Sequence, residues 1–344
     1  MFMIRTLNHK IIERYYPKNN FRMTASFDGP QNQMVFILRF PISYKNIQLF
    51  IKRIDFGNYF DWMGQAREFS LLPINNQILR YSRNGKNALV TNSVKLNVLG
   101  FLRATDIVEV RLWLDNVYGF RKLYNLKFDF LKVLPARRYE RVALGDLVFS
   151  CVNLEHSTIS IVDPPAFLKR FLEGMKPQDI NKRELSLYKS QFSGIDSGRE
   201  SVRKFRAVKL LYEQKFQTSK DDSNLIGNVY FSNYAKWSNL VKDRFFYDLI
   251  RKHKTPRTIY EYVVLNCKVS HFNEAMPFDV VCVRMYLRKV FTRAIIFGFE
   301  IFCIKDKSEV KLANVTQTVV LVKKSRSVLQ ICNLPGEVVN AICK

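Results

Sequence analysis

A gapless match between two distant stretches constrains this chain more than any other feature. Ile54 to Glu68 reads IDFGNYFDWMGQARE, and Val229 to Asp243 reads VYFSNYAKWSNLVKD. Asn58 falls on Asn233, Tyr59 on Tyr234, Trp62 on Trp237, Arg67 on Lys242 and Glu68 on Asp243, each pair 175 positions apart. Two further blocks keep nearly the same offset. Thr105 to Leu114 aligns with Phe278 to Leu287 at 173 positions, and Arg39-Phe40 with Lys215-Phe216 at 176. An offset held across three blocks is the mark of a duplicated unit. The expectation is two copies of one domain, and 344 residues is an ordinary length for two. The boundaries read as residues 1–165 for the first unit, 166–205 for a linker, 206–334 for the second unit and 335–344 for a tail.

Each copy follows the same order of patterns. In the second, Tyr230, Tyr234, Trp237, Val241 and Phe245 recur at spacings of four, three, four and four, which puts them on one face of an α-helix. The spacing predicts a helix over 227–252, closed by Pro256, with a polar turn at its N-terminus. In the first copy the helix is predicted over 57–70, ended by Pro73. Alternating apolar runs predict strands at 34–40, 88–97, 107–117, 122–133 and 142–153, and again at 210–218, 260–269, 279–290, 294–304 and 310–323. Asn116 to Gly119 marks a hairpin. Pro164-Pro165 opens the linker, 167–175 reads as a short amphipathic helix, and 190–201 as its candidate mobile segment. One long helix followed by a meander of antiparallel strands is an α+β pattern, with the sheet wrapped around the helix.

Composition narrows the function classes. The chain is 47% hydrophobic with 28 Phe and 16 Tyr, enough for a core in each half. It has no apolar run long enough to span a membrane. The first residues lack the pattern of a secretory signal. The six cysteines (151, 267, 282, 303, 332 and 343) form no CxxC and no Cys/His cluster, so reduced thiols, a cytoplasmic location and no metal site are expected. The net charge of +25 suits a polyanionic partner. No stacking-aromatic or helix-turn-helix signature accompanies it, so nucleic acid is not the expected partner.

The order of elements resembles the hot-dog fold. Asn224-Leu225-Ile226-Gly227-Asn228-Val229-Tyr230, followed by Asn233-Tyr234 and Trp237, is similar to the motif of hot-dog thioesterases, in particular the enediyne polyketide type. The first half resembles the superfamily more loosely. The resemblance implies a double hot-dog, a pseudo-dimer of two tandem units. It also implies a substrate that is a thioester of coenzyme A or of an acidic acyl carrier protein. Coenzyme A or phosphopantetheine then arrives with the substrate, and the protein needs no cofactor of its own. A homodimer of such pseudo-dimers is a further expectation.

The resemblance also distributes roles. Asn224 occupies the position where many hot-dog thioesterases carry an acid; an amide cannot act as a base at neutral pH but can hold a water or a carbonyl. Lys242 stands where the enediyne type has a late-helix arginine, which loses the planar fork of a guanidinium; Arg67 keeps it in the first copy. The candidate catalytic residues are therefore Asn224, Tyr234, Lys242, Tyr59 and Arg67. The candidate substrate-binding residues are Gly227, Asn228, Val229, Trp237 and His271. The backbone N–H groups of Asn228 and Val229 are expected to polarise the thioester carbonyl at the helix tip. The nearest carboxylates in sequence are Asp221 and Asp222. Each residue also has a plain structural use. Tyr59, Tyr234 and Trp237 suit a core stripe, Arg67 and Lys242 a solvated helix face, Asn224 a turn, and His271 a strand end. Three functions remain open on this reading: thioester hydrolysis, acyl transfer or decarboxylation on the same thioester, and thioester binding without catalysis.

Overall fold

A computed structural model describes residues 24–28, 34–43, 54–83, 86–104, 106–120, 122–154, 160–175, 209–224, 227–253, 260–305, 308–325 and 328–343. The chain divides into two compact units. Met1–Ile47, Arg53–Val94 and Leu99–Lys189 form the first; Gln48–Lys52, Lys95–Val98 and Ser190–Lys344 form the second. The predicted mobile segment 190–201 lies outside the described residues.

The first unit runs β1 (Thr24–Asp28), β2 (Val35–Pro41), α1 (Gly57–Leu71), α2 (Asn75–Ser82), β3 (Asn87–Val98), β4 (Ile107–Tyr118), β5 (Leu123–Leu134), β6 (Arg138–Asn153), β7 (Ser160–Val162) and α3 (Ala166–Gly174). Its strands lie in the order β1-β2-β4-β5-β6-β3, with β7 on β6. The pairs β1–β2, β2–β4, β4–β5 and β5–β6 are antiparallel. Strict alternation of side chains explains the sheet's buried face: Phe36, Leu38 and Phe40 on β2 and Val108, Val110, Leu112 and Leu114 on β4 all point into the core. At the β4–β5 hairpin Gly119 and Phe120 both take left-handed backbone, and Phe120 is thrust into solvent. Helix α1 ends at Leu71, just ahead of Pro73, as the sequence predicts. Pro73 sits in a 3-10 turn, Leu72–Ile74, where its missing N–H costs nothing, and α2 begins after it. Helix α3, read from sequence as part of the linker, packs in the first unit: Leu168, Leu172 and Met175 are buried and Gly174 accepts a hydrogen bond from the Met34 N–H.

The second unit runs β8 (Lys209–Gln217), α4 (Ser232–His253), β9 (Tyr260–His271), β10 (Val280–Val290), β11 (Ala294–Lys305), β12 (Ser308–Ser325), β13 (Val328–Ile331) and α5 (Gly336–Cys343). Its strands order as β8-β10-β11-β12-β9, all antiparallel, with β13 on β12. This is the order β2-β4-β5-β6-β3 over again. Helix α4 is gripped on two sides. Trp237 meets Phe216 of β8 edge-on at 5.3 Å, and Phe245 meets Tyr212 at 6.3 Å. On the other flank Phe246 stacks flat on Tyr262 of β9 at 3.6 Å. Burying a side chain of that size is worth roughly 2 kcal/mol, so both flanks hold the helix. The helix starts at Ser232, five residues later than the spacing predicts. Helix α5 buries Val338 and Ile342, and a cavity of about 240 Å³ lies between Phe291, Thr292, Leu334 and Val339.

Among the described residues no helix is long and apolar enough to cross a membrane, and no three His, Cys, Asp or Glu side chains gather as a metal site.

Candidate active site

The chain between β8 and α4 is a closed loop. Asn224 donates its N–H to the Asn228 carbonyl at 2.9 Å, and the Gly227 N–H returns to the Asn224 carbonyl at 3.0 Å. A bridge between Ser223 and Val229 shuts its base. Gly227 has φ +95°, a conformation open to glycine and strained for other residues. Below the loop, the Asp222 carbonyl accepts from the Tyr230 N–H at 2.7 Å and from the Asn233 side-chain amide at 2.8 Å. The Asp222 carboxylate is spent on the Ser219 N–H and hydroxyl, and Asp221 faces solvent.

This loop docks on a second one, residues 272–279 between β9 and β10. The Val229 N–H donates to the Ala275 carbonyl at 2.8 Å, and the Ala275 N–H donates to the Tyr234 hydroxyl at 3.0 Å. Tyr234 is 2% exposed; burial lifts its phenol far above the usual range, and the charge of nearby Glu274 adds to that. Its ring meets His271 edge-on at 4.8 Å and Trp237 at 5.1 Å. His271 Nε2 is sealed from solvent without a partner, and burial drops the imidazole to a pKa of about 4, so it is neutral. Glu274 is half-buried; desolvation raises its carboxyl, against a hydrogen bond from the Asn228 side chain. Asn228 Oδ1 is itself enclosed and takes no hydrogen bond. One small volume thus holds Asn228, Glu274, Tyr234 and His271.

Midway along α4 lies a buried polar strip. Ser238 accepts from the Gln317 amide at 2.8 Å, and Lys242 is wholly enclosed, its Nζ 3.2 Å from Asp243 Oδ1. Lys242 is therefore not the solvated helix charge its sequence permits. Beside it, burial and the Asp243 charge push the Glu261 carboxyl up to about 7, with the Lys242 ammonium opposing.

The corresponding tip in the first unit is built differently. The Asp55 carboxylate caps α1, accepting from the Gly57 N–H at 2.7 Å. Tyr59 sits in the core, edge-on to Trp62 at 5.2 Å and to Phe130 at 5.1 Å. Arg67 donates to the Thr91 hydroxyl at 3.0 Å and lies 3.8 Å from Glu68. Leu49, which aligns with Asn224, lies outside the described residues.

Of the residues singled out from sequence, the structure of the second unit brings Asn228, Val229, Tyr234, Trp237 and His271 together around the docked loops, with Asn224 and Gly227 in the loop itself. One expectation is corrected. The Val229 N–H does not face a ligand, because the Ala275 carbonyl takes it, and the Gly227-Asn228 turn precedes the helix rather than forming its first turn. Glu274 is the residue that sequence reasoning missed. It stands 46 positions beyond Asn228, and the backbone bond between Val229 and Ala275 brings the two loops together.

Residues 219–342 match the family model described as the thioesterase-like superfamily. Among curated proteins none matches this sequence. The 12:0-ACP thioesterase from Umbellularia californica superposes over 83% of this chain and 93% of its own length, with a TM-score of 0.57 at 11% identity. An acyl-ACP thioesterase from Bacteroides thetaiotaomicron VPI-5482 does so over 83% of this chain and 97% of its own length, with a TM-score of 0.54 at 11% identity. The dynemicin thioesterase is 25% identical over 39% of this chain and 96% of its own, with a TM-score of 0.37. The antiparallel sheets and their helices are thus those of the hot-dog fold, and residues 219–342 are the part of the chain that matches the thioesterase-like superfamily model.

Proposed function

We propose that this chain is an enzyme of acyl-thioester chemistry, a hydrolase of acyl-coenzyme A or of acyl groups on an acidic carrier protein, in a pathway that builds polyketide or fatty-acyl chains. The observation that carries the reading is the docking of the 223–229 loop onto 274–275. It gathers an amide, a carboxyl and a phenol inside the region that matches the thioesterase-like superfamily. A structural tie alone needs no half-buried carboxyl facing a side-chain amide. The net charge of +25 complements the phosphates of coenzyme A or the acidic face of a carrier. Asn224 and Asn228 hold the acyl carbonyl or its attacking water, and Tyr234 keeps the second loop in place. The reading extends to a double hot-dog, two copies of one unit acting as a pseudo-dimer; the repeated strand order and the repeated Asn–Tyr–Trp motif support it.

The test is a panel of acyl-coenzyme A and acyl-carrier thioesters, with free thiol measured. Hydrolysis by the wild-type chain, lost by at least tenfold in Asn224→Ala or Asn228→Ala, is the expected result. Acyl transfer to a second thiol without net hydrolysis selects the acyltransferase alternative. Binding without turnover selects a thioester-binding protein.

A further inference from the structure

Resting on that reading, we propose that Glu274 is the general base that activates water against the thioester, with Asn228 as the positioning residue that orients its carboxylate. The 2.8 Å bond from the Val229 N–H to the Ala275 carbonyl sets Asn228 beside Glu274, and the Asn228 side chain works against the burial that raises the carboxyl. Asn228 Oδ1 takes no hydrogen bond, so nothing competes for the amide's orientation.

The loop carrying Glu274 is fixed at nearly every residue. The Phe272 and Asn273 N–H groups both donate to the Leu312 carbonyl, at 2.8 and 3.2 Å. The Ala275 N–H is held by Tyr234, the Met276 N–H by the Asp279 carboxylate at 2.8 Å, and the Met276 carbonyl by the Thr218 hydroxyl at 2.7 Å. Phe278 is kept at φ +72°, a conformation that a bulky residue adopts only under constraint. Such clamping suits a group whose placement matters. On the same short loop Phe272, Met276 and Phe278 stand 53%, 45% and 58% exposed. An apolar acyl chain laid along them removes water from the carboxylate's surroundings. Burial already raises the Glu274 carboxyl, as a base working near neutral pH requires.

The step balances without any further reagent. Glu274 takes one proton from water as its oxygen bonds to the thioester carbon. The carbonyl π electrons move onto the carbonyl oxygen. When they return, the C–S bond breaks and the thiolate leaves, taking the proton back from the Glu274 carboxylic acid. The products are one carboxylic acid and one thiol, and the carboxylate is restored.

The experiment compares wild type, Glu274→Gln and Glu274→Asp on straight-chain acyl-coenzyme A thioesters, with thermal midpoints recorded to exclude unfolding. In Glu274→Gln, kcat is expected to fall at least 100-fold with KM within about threefold. The wild-type kcat/KM rises with pH through a carboxyl pKa above 4.5, and Glu274→Gln loses that limb. Glu274→Asp retains the limb with reduced kcat. A Glu274→Gln protein that hydrolyses within threefold of wild type, limb intact, overturns the role of Glu274 while the thioesterase reading stands. A wild-type chain that hydrolyses none of these thioesters overturns the reading and Glu274 with it.

Discussion

At one and the same helical position the first unit seats Met63 and the second seats Ser238. Met63 lies over Gly145, where even a Cβ would come within 2.9 Å of its Cε. Ser238 instead receives the Gln317 amide, and the buried Lys242 follows one turn later. The aromatic frame beneath is unchanged. Tyr59–Trp62 and Tyr234–Trp237 stand at 5.2 and 5.1 Å, and Phe40–Trp62 and Phe216–Trp237 at 5.1 and 5.3 Å. The matched asparagines both clip the chain entering the helix, Asn58 to the Asp55 carbonyl and Asn233 to the Asp222 carbonyl. The repeated motif is thus a clamp that builds the unit. What differs is the polarity around it. Buried polar groups cost free energy unless paired. In the second unit they gather beside the helix and the docked loops, at Ser238, Lys242 and Gln317, whereas the tip of the first unit is capped by its own Asp55.

The strongest way to break this comparison is to remove the shared clamp. Trp62→Ala and Trp237→Ala should each cost about 3–5 kcal/mol in chemical denaturation. A loss under about 1 kcal/mol in either would show that the clamp does not frame both units. A smaller contrast lies on the charged strand positions. Glu109 is 1% exposed between Arg39 and Arg111, whereas the aligned arginine of the second unit, Arg284, joins Glu213 and Glu309 at the surface. Glu109→Ala should cost about 2 kcal/mol, because it strips two guanidiniums of a buried partner. Arg284→Ala should cost less than about 1 kcal/mol.

A further effect is read against pH. The Glu261 carboxyl is raised in the folded chain from 4.5 to about 7. The native state therefore keeps a proton that the unfolded chain releases, and stability should fall as pH rises from about 4.5 to about 7, then level off. Glu261→Gln should flatten that slope; an unchanged slope would place the titration elsewhere.

Much of this fold was legible because it rests on local periodicity. Strand and helix spacing located ten strands and both long helices to within a few residues, and the Asn–Tyr–Trp spacing marked the aromatic clamp on each of the two helices. The late start of α4 was not legible. Tyr230 and Phe231 continue the apolar rhythm, while the Ser223–Val229 bridge and the Val229–Ala275 bond hold the chain short of a helix. Lys242 reads as a surface charge on a helical wheel. Its burial follows from β9 and β12 closing over a second flank, a tertiary event. Glu274 was invisible for the same reason, since a carboxylate in a distant turn acquires meaning only when the turn is seen to dock.

The account turns on two tyrosines that the sequence makes equivalent and the structure does not. Tyr234 holds the Ala275 N–H and, through it, the loop of Glu274, whereas Tyr59 packs against Trp62 and Phe130. Thiol release from acyl-coenzyme A by Tyr234→Phe and Tyr59→Phe, measured side by side with wild type, is the most direct test. The account predicts a drop of about tenfold or more for Tyr234→Phe, the worth of one hydrogen bond that fixes a reacting group, and a rate within about twofold of wild type for Tyr59→Phe. Equal losses in the two variants, or a larger loss in Tyr59→Phe, would contradict it.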